Sequence, residues 1–297
     1  MNMKAAGLLF AAGFALLPLF AAENVPAVSK VGKTSVYQPQ KYAFAQKADI
    51  YNAQNKYGFT IVQSKPTGEN PPHTQFRLAA GQTGFCPLVN FLKITVNGIP
   101  NTVIDPKVGD FVPWKEKNLA GCEAKFNFDG AKLILRFWMR PDSPVLWGSL
   151  RPAPDSIEPV RKIELGFSAI TSKLAQKNKK VLWSGVYERE AVTPARKLEQ
   201  RQKVWDLTPK DTYIVLQDKK FDGSSEEKGT GPVMILLDHG CIAKAELVLR
   251  NQWTTSLSAV LKPDFKEFKF GLWQQNPRIS NAAFAEKLKT EKAAFTR

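Results

Sequence analysis

Five residues near the middle of the chain have side chains that could bind a sugar. Arginine and aspartate form directional hydrogen bonds with hydroxyl and carboxylate groups, and a tryptophan ring can stack on the apolar face of a pyranose. These residues are Arg136, Trp138, Arg140, Asp142 and Trp147. The alternative is structural, because Arg140 and Asp142 could lock a turn while Trp147 packs in the core.

The two histidines of the chain are the candidates for general acid and base chemistry. His239 follows Asp238, and a neighbouring carboxylate can fix the tautomer of an imidazole and raise its pKa. Adjacent residues of a strand point to opposite faces, so this pair interacts only where a turn bends the chain. His73 follows two prolines. The alternative for both is a turn histidine without a catalytic role.

The three cysteines predict a disulfide rather than a metal site. Cys86 precedes one predicted strand and Cys122 opens another, so these two are the expected pair and Cys241 is left over. Three isolated cysteines and two histidines lack the spacing of metal ligands. The sequence also contains no phosphate loop, zinc motif or nucleophilic serine turn. We therefore expect neither a metal nor another cofactor.

A meander of strands over residues 122–150 must position the arginine and tryptophan group. Asp129-Gly130 is typical of a type I′ hairpin turn, and the strand after it alternates between an apolar and a mixed face. The apolar face holds Leu133, Leu135, Phe137 and Met139, and the mixed face holds Lys132, Ile134, Arg136 and Trp138. We predict that the apolar set is buried, and that Arg136, Trp138 and Arg140 are partly exposed beside a concave surface.

Residues 1–22 have the pattern of a signal peptide, which predicts export to the periplasm or the medium. An uncleaved membrane anchor is the alternative, because a bulky residue lies close before the expected cleavage site. The chain has 42 Lys and Arg against 27 Asp and Glu, a formal net charge of +15. This charge favours an anionic polysaccharide or envelope glycan as partner, or it is only a solvated surface. No motif for binding nucleic acid is present.

The whole chain predicts an all-β fold, a large antiparallel β-sandwich with a C-terminal capping helix. About a dozen strand-like runs follow one another without alternating helices, which excludes a parallel α/β fold. We expect an extended, partly disordered lead-in at residues 23–55, one β-sandwich domain at 56–297, and a loop containing Trp114 at 105–120. Thr193-Pro194 predicts a short surface helix, and Ser280 or Asn281 predicts the cap of the last helix.

Three segments resemble the large sandwich domains of the galactose-mutarotase-like class: KLILRFWMRPDSPVLWGSL at 132–150, EFKFGLW at 267–273 and SNAAFAEKL at 280–288. That class occurs in sugar epimerases and as non-catalytic modules of glycosidases, so the resemblance implies a carbohydrate-related protein. Mutarotases use two histidines and a carboxylate for proton transfer at the anomeric carbon. The sequences around His73 (NPPHTQF) and His239 (LLDHGC) do not match those motif positions. The resemblance therefore assigns them no role.

Three functions stay open at this point. The first is an exported protein that binds anionic carbohydrate without converting it. The second is a sugar-active enzyme, an epimerase or a lyase, that relies on His73 or His239. The third is a structural envelope protein, which a large exposed apolar patch would indicate.

Overall fold

The computed structural model describes residues 26–28, 32–33, 41–69, 71–80, 91–106, 111–171, 174–177, 180–183, 188–221, 231–250 and 254–291. The predicted signal peptide lies outside these ranges. Within them the chain is mostly β-strand and contains one α-helix, which confirms the predicted all-β class. This helix is not long and apolar enough to cross a membrane, and the described ranges contain no other α-helix.

The elements in chain order are β1 (Ala27–Val28), β2 (Gly32–Lys33), β3 (Tyr42–Tyr51), β4 (Lys56–Ser64), β5 (Thr74–Ala80), β6 (Leu92–Val96), β7 (Ile99–Pro100), β8 (Phe111–Glu116), β9 (Leu119–Phe128), β10 (Ala131–Met139), β11 (Leu146–Pro152), β12 (Ile163–Ala169), β13 (Leu174–Lys177), β14 (Lys180–Trp183), β15 (Arg189–Val192), β16 (Lys197–Leu198), β17 (Val204–Asp206), β18 (Tyr213–Asp218), β19 (Val233–Leu237), β20 (Ile242–Leu249), β21 (Thr255–Leu261), β22 (Phe268–Gln274) and α1 (Asn281–Glu291).

These strands form three large antiparallel sheets and one separate hairpin. The nine-stranded sheet has the order β16-β15-β18-β19-β22-β11-β10-β9-β8. The six-stranded sheet has the order β17-β20-β21-β12-β6-β7. The five-stranded sheet has the order β1-β3-β4-β5, with β2 also paired to β3, and β13 pairs with β14. In the nine-stranded sheet, the late strand β22 lies between β11 and β19.

The nine-stranded sheet packs against both of the other large sheets, and the core lies between them. Phe137 of β10 and Phe59 of β4 have ring centroids 4.6 Å apart. Phe270 of β22 and Phe167 of β12 are 5.3 Å apart at a steep interplanar angle. Such aromatic contacts add to the free energy gained by burying the rings. The result is the predicted antiparallel β-sandwich, with one layer made by two sheets side by side.

The central meander forms as predicted from its alternation and turns. The turn between β9 and β10 places Asp129 at φ 52° and Gly130 at φ 88°, the left-handed region that this residue pair tolerates. The predicted apolar face is fully buried in the core: Leu133, Leu135, Phe137 and Met139. Arg136, Trp138 and Arg140 are partly exposed, as the two-residue period of the strand predicts, while the concave surface beside them stays a prediction.

Two stretches predicted to lack strands contain them. Residues 105–120 were expected as a loop, but Phe111–Glu116 is the edge strand β8 of the nine-stranded sheet. Pro113 is compatible with this place because an edge strand does not need every backbone donor. The predicted lead-in also contains β3, which pairs with β4 along its whole length and has Ala48 and Ile50 in the core.

The prediction of a short helix that begins at Thr193-Pro194 is wrong. These residues form a turn that joins β15 to β16. The Thr193 hydroxyl accepts hydrogen bonds from the backbone N–H groups of Ala195 and Arg196, and the Thr193 N–H donates to the Arg196 carbonyl. A threonine side chain that satisfies nearby backbone groups stabilises a turn as readily as a helix start.

The C-terminal helix is confirmed, and it lies on a face of the sandwich. Ser280 is its N-cap, because the Ser280 hydroxyl accepts a hydrogen bond from the Ala283 N–H at 3.1 Å. Phe284 and Leu288 pack on the outer face of the nine-stranded sheet, where the Phe284 ring lies 4.6 Å from the Trp273 ring. The helix thus covers the β18, β19 and β22 part of that face.

Candidate functional site

The outer face of the nine-stranded sheet carries three tryptophans at one level across β8 to β11. The register pairs Trp114 with Gly121, Gly121 with Trp138, and Trp138 with Trp147. Because paired residues point to the same side of a sheet, all three indoles project outward together. We call Trp114, Trp138 and Trp147 the tryptophan row. All three are half-buried, so each keeps part of its surface accessible.

Gly121 allows the first two indoles of the row to meet. Trp114 and Trp138 lie on strands that both pair with β9, and their ring centroids are 6.1 Å apart at an interplanar angle of 63°. A side chain at Gly121 would stand between them. A Cβ there would also lie only 1.8 Å from the Phe137 carbonyl oxygen. The glycine is therefore needed both for the strand pairing and for the aromatic contact.

Two arginines lie on the same face beside the tryptophan row, Arg136 one outward-facing position away and Arg151 two positions away. Arg136 of β10 donates to Glu123 Oε2 of β9 from Nε at 2.9 Å and from Nη2 at 2.6 Å. Arg151 of β11 places its Nη2 3.8 Å from the same oxygen. Arg136 also lies over the Trp114 ring, with its Cζ 4.3 Å from the ring centroid. We call Arg136 and Arg151 the arginine pair.

The arginine pair gives this part of the face a net positive charge. Two guanidinium groups share the single carboxylate of Glu123, so one positive charge is not balanced by it. The side chain of Arg136 is 20% exposed to solvent and that of Arg151 is 33% exposed. Charged hydrogen bonds from partly exposed guanidinium groups are a usual means of holding carboxylate or sulfate groups.

Further along the same face, other basic residues are paired with acidic ones. Lys125 and Lys132 both contact Asp155, at 3.0 Å and 3.1 Å. Hydrogen bonds from these two lysines lower the pKa of Asp155 to about 2. Lys269 lies 3.5 Å from Glu267. Two cations thus share one carboxylate here as they do at the arginine pair, so the face is positively charged at both places, and the arginine pair is the one nearer to the tryptophans.

Arg140 and Asp142 lie just beyond the end of β10. Arg140 Nε is 3.4 Å from Asp142 Oδ1, so the two residues form the ion pair that the structural alternative predicted. The Arg140 side chain is 27% exposed and the Asp142 side chain is 70% exposed. An exposed pair of this kind contributes little to stability, and both groups stay accessible to a ligand.

Trp147 connects the tryptophan row to the part of the face under α1. Its indole packs against the cluster of Val145, Leu236, Trp273 and Phe284. Its Nε1 is buried and has no hydrogen-bond acceptor among the described residues. Trp147 is therefore partly a packing residue, as the structural alternative predicted, while Trp138 beside it belongs to the open part of the face.

His239 takes part in a structural network. Its Nε2 donates to the Asp211 backbone carbonyl at 3.1 Å. The neighbouring Asp238 carboxylate instead accepts from the Gly240 N–H and lies 3.5 Å from the Cys241 thiol. The Asp238 carboxylate caps the single turn of 3-10 helix that begins at His239, which agrees with the alternative of a turn histidine.

His73 is exposed, and both of its ring nitrogens have neighbours. Gln75 Nε2 lies 2.8 Å from His73 Nε2, and Ser64 Oγ lies 2.8 Å from His73 Nδ1. Since the amide nitrogen is a donor, Nε2 accepts and the proton of the imidazole lies on Nδ1. His73 directly precedes β5 of the five-stranded sheet, and His239 follows β19 of the nine-stranded sheet, so the two histidines lie next to strands of different sheets.

Neither a disulfide nor a metal site appears within the described residues. Cys122 is a free thiol, fully buried in the core on β9, and Cys241 is also free. The expected partner of Cys122, Cys86, lies outside the described ranges. The predicted disulfide is therefore not seen. No group of three or more His, Cys, Asp and Glu residues in those ranges is arranged to hold a metal ion.

A cavity of about 550 Å³ lies at the other end of β10, away from the tryptophan row. It is bounded by the β6–β7 and β9–β10 turns and by the segment before β12. Its lining mixes acidic and basic side chains: Asp129, Glu158, Arg161 and Lys162. None of the five predicted ligand-binding residues lines it. The predicted site is therefore separate from this cavity.

Three residues of this surface were missing from the sequence prediction. Trp114 falls within the predicted loop at 105–120, whereas the structure places it on the strand β8. Glu123 and Arg151 were not considered, since only the register of β9, β10 and β11 brings them to Arg136. The outward alternation of Val112, Trp114 and Glu116 was a signal available for the first of them.

Comparison with known proteins gives no sequence relative. No family model and no curated protein matches the chain. Among solved structures, a candidate aldose 1-epimerase from Klebsiella pneumoniae matches with a TM-score of 0.41 and 11% identity, over 92% of this chain and 96% of that one.

Two GH36 α-galactosidases from Geobacillus stearothermophilus also match. AgaB gives a TM-score of 0.38 and 9% identity over 82% of this chain. The A355E variant of AgaA gives a TM-score of 0.33 and 11% identity over 73% of this chain. The chain spans only 41% and 32% of their lengths. At TM-scores this low, the matches assign neither a fold family nor an activity.

Proposed function

We propose that this chain is an exported carbohydrate-binding β-sandwich protein, and that it binds anionic glycans on the tryptophan row and the arginine pair. The observation that carries the proposal is the arrangement of three outward indoles beside two guanidinium groups that share one carboxylate. A periplasmic or secreted location follows from the predicted signal peptide.

The chemistry of the face fits an acidic sugar in two ways. A pyranose ring has an apolar face of C–H groups, which can stack on an indole and release water from both surfaces. An acidic sugar also has a carboxylate or sulfate at its edge, and the guanidinium fork of an arginine binds such groups with two parallel hydrogen bonds. The two kinds of contact lie side by side on neighbouring rows of the sheet.

Titration with a polyuronate and with a neutral glucan, by calorimetry at low and at physiological salt, tests this proposal. We expect binding of the polyuronate that weakens as salt is added, because exposed charges are screened over about 8 Å at physiological ionic strength. Trp138→Ala should reduce the affinity by about tenfold. The absence of binding to any polysaccharide at low salt would reject the proposal.

Trp205→Ala is a matched control for that variant. Trp205 is a half-buried tryptophan on β17 of the six-stranded sheet, and Lys203 Nζ lies 4.0 Å from its ring centroid. It therefore reproduces the combination of an indole and a cation on another sheet. If Trp205→Ala lowered the affinity as much as Trp138→Ala, the tryptophan row would not be the binding surface.

The two other functions have less support. Among the described residues, the hydrogen-bond partners of His73 and His239 are side chains or backbone groups other than carboxylates, which does not favour a sugar-active enzyme. A structural envelope protein would need a large apolar patch. The large hydrophobic residues that are exposed within the described ranges lie on different elements: Tyr51, Val103, Val112, Ile157 and Val204.

A further inference from the structure

We infer that the ligand is a linear acidic polysaccharide which lies across the strands, along the tryptophan row. About three of its sugar rings contact the row. This inference rests on the proposed function and adds the direction, the length and the orientation of the bound chain. It comes from the register of β8 to β11 and from the position of the arginine pair relative to the tryptophans.

The direction follows from where the indoles stand. Trp114, Trp138 and Trp147 occupy one level of three different strands, so the line that joins them is perpendicular to the strands. Along β10, by contrast, the residues on the same face before Trp138 are Arg136, Ile134 and Lys132. A sugar chain parallel to the strand would therefore meet one indole, while a chain across the strands meets three.

The length follows from the spacing of strands in a sheet. Three steps between neighbouring strands separate β8 from β11, which corresponds to roughly 14 Å between the backbones of Trp114 and Trp147. A pyranose in a linear chain advances by about one strand spacing, so the row matches about three rings. The 63° angle between the Trp114 and Trp138 rings suits a chain whose successive sugars are turned relative to each other.

The orientation follows from the arginine pair. Arg136 and Arg151 lie on one side of the row, Arg136 two residues along β10 from Trp138 and Arg151 four residues along β11 from Trp147. In the described structure the other side of the row is bounded by Glu116 of β8 and Leu119 of β9, which pair with each other, and by Arg140 just beyond the end of β10. Over β8 and β9, acidic groups of the polysaccharide are therefore directed toward the arginine pair and away from Glu116, while Arg140 can hold an acidic group on the other side of the row.

The test measures the affinity for oligogalacturonides of one to six residues, by calorimetry at low salt. We expect the affinity to rise with each residue up to three, by about three- to tenfold per stacked ring, and then to level off. Equal affinity for the monomer and the hexamer would overturn this inference while leaving the proposed function intact. No binding at any length would reject the proposed function itself.

Trp114→Ala tests the footprint directly. If Trp114 holds the third sugar, the variant binds the monomer and the dimer as the unchanged protein does, but it binds the trimer no better than the dimer. If Trp114 acts only by supporting Arg136, the affinity falls by the same factor at every length, and the inference is wrong. Val112→Ala is the control, since Val112 is an exposed residue on the same strand and face.

Discussion

Trp114 and Trp138 contact each other across a strand that contributes only a glycine to the space between them. Their ring centroids are 6.1 Å apart, although β9 separates β8 from β10. A Cβ at Gly121 would meet the Phe137 carbonyl oxygen and the Trp138 Cα, both of which are backbone atoms of β10. The open part of the face therefore depends on the absence of a side chain at this position.

Gly121→Ala should lower the free energy of unfolding by about 3 kcal/mol, because the methyl group would force β9 and β10 apart. Urea denaturation measures this change. Gly166→Ala is a matched control on β12, where the nearest side-chain atom to a Cβ is Lys93 Cβ at 3.5 Å, an ordinary contact. Equal stability of the two variants would contradict the close approach at Gly121.

Glu123→Gln should increase the affinity for an anionic glycan by about threefold to tenfold, because it removes the one carboxylate that the arginine pair shares. Arg136→Ala should weaken the same binding. Salt titration by calorimetry distinguishes the electrostatic part, since the gain in Glu123→Gln should disappear at high salt. A loss of affinity in Glu123→Gln would show that Glu123 orients the arginines more than it neutralises them.

Arg140→Ala should change the free energy of unfolding by less than about 1 kcal/mol, because its contact with Asp142 is exposed. The same variant should bind an anionic glycan about tenfold more weakly, which is the value of one charge-assisted hydrogen bond. Thermal melting and calorimetry measure the two quantities. Asp142→Ala is the control, since it removes the same ion pair but keeps the cation and should not weaken binding.

Asp211 should stabilise the fold in a pH-dependent manner. Its buried carboxylate would be disfavoured by desolvation, but hydrogen bonds from Thr193, Thr208 and Arg196 outweigh this and lower its pKa. A carboxyl group whose pKa is lower in the folded state stabilises the protein above its unfolded pKa of about 3.9 and loses this contribution as the pH falls.

Asp211→Asn should therefore lower the free energy of unfolding by about 3 kcal/mol at pH 7 and by less at pH 3, because it leaves the Arg196 guanidinium without its anionic partner. Urea denaturation at the two pH values gives both differences. Asp142→Asn, at an exposed carboxylate, should show almost no change at either pH. If Asp211→Asn lowered the free energy of unfolding as much at pH 3 as at pH 7, the charge of Asp211 would not be what stabilises the turn.

Cys122 should react with a thiol reagent only when the protein unfolds. Burial in the core raises the pKa of this thiol well above its ordinary value. The unfolded chain then loses the proton first, so the free energy of unfolding falls as the pH rises past about 8.5. Cys122→Ala in a Cys241→Ala background should reduce this fall between pH 8 and 9.5. Mass mapping of the non-reduced protein would show whether Cys122 is linked to Cys86 instead.

The strands of the central meander could be predicted because the residues that specify them are close together in the sequence. The alternation of β10 and the Asp129-Gly130 turn specify both its ends and its buried face. The strand β8 could not be recognised in the same way. Pro113 is compatible with a strand only at the edge of a sheet, and whether a strand is at an edge depends on the whole fold.

The candidate site was predictable only in part, for the same reason. Arg136 and Trp138 were found from the two-residue period of their own strand. Arg151 and Glu123 join them through the pairing of three strands, which is a long-range property. His239 is the converse case, since its sequence neighbour Asp238 suggested a pair, but the imidazole contacts the Asp211 carbonyl far away in the chain.

The position of β22 between β11 and β19 has a consequence for the order of folding. Leu272 pairs with both Leu146 and Ile235, so the nine-stranded sheet stays in two parts until this late strand inserts between them. Before insertion, β11 and β19 are unprotected edges that can pair with other chains. Closing such distant pairings is slow, so the newly made chain should stay prone to aggregation until its last strand has been synthesised.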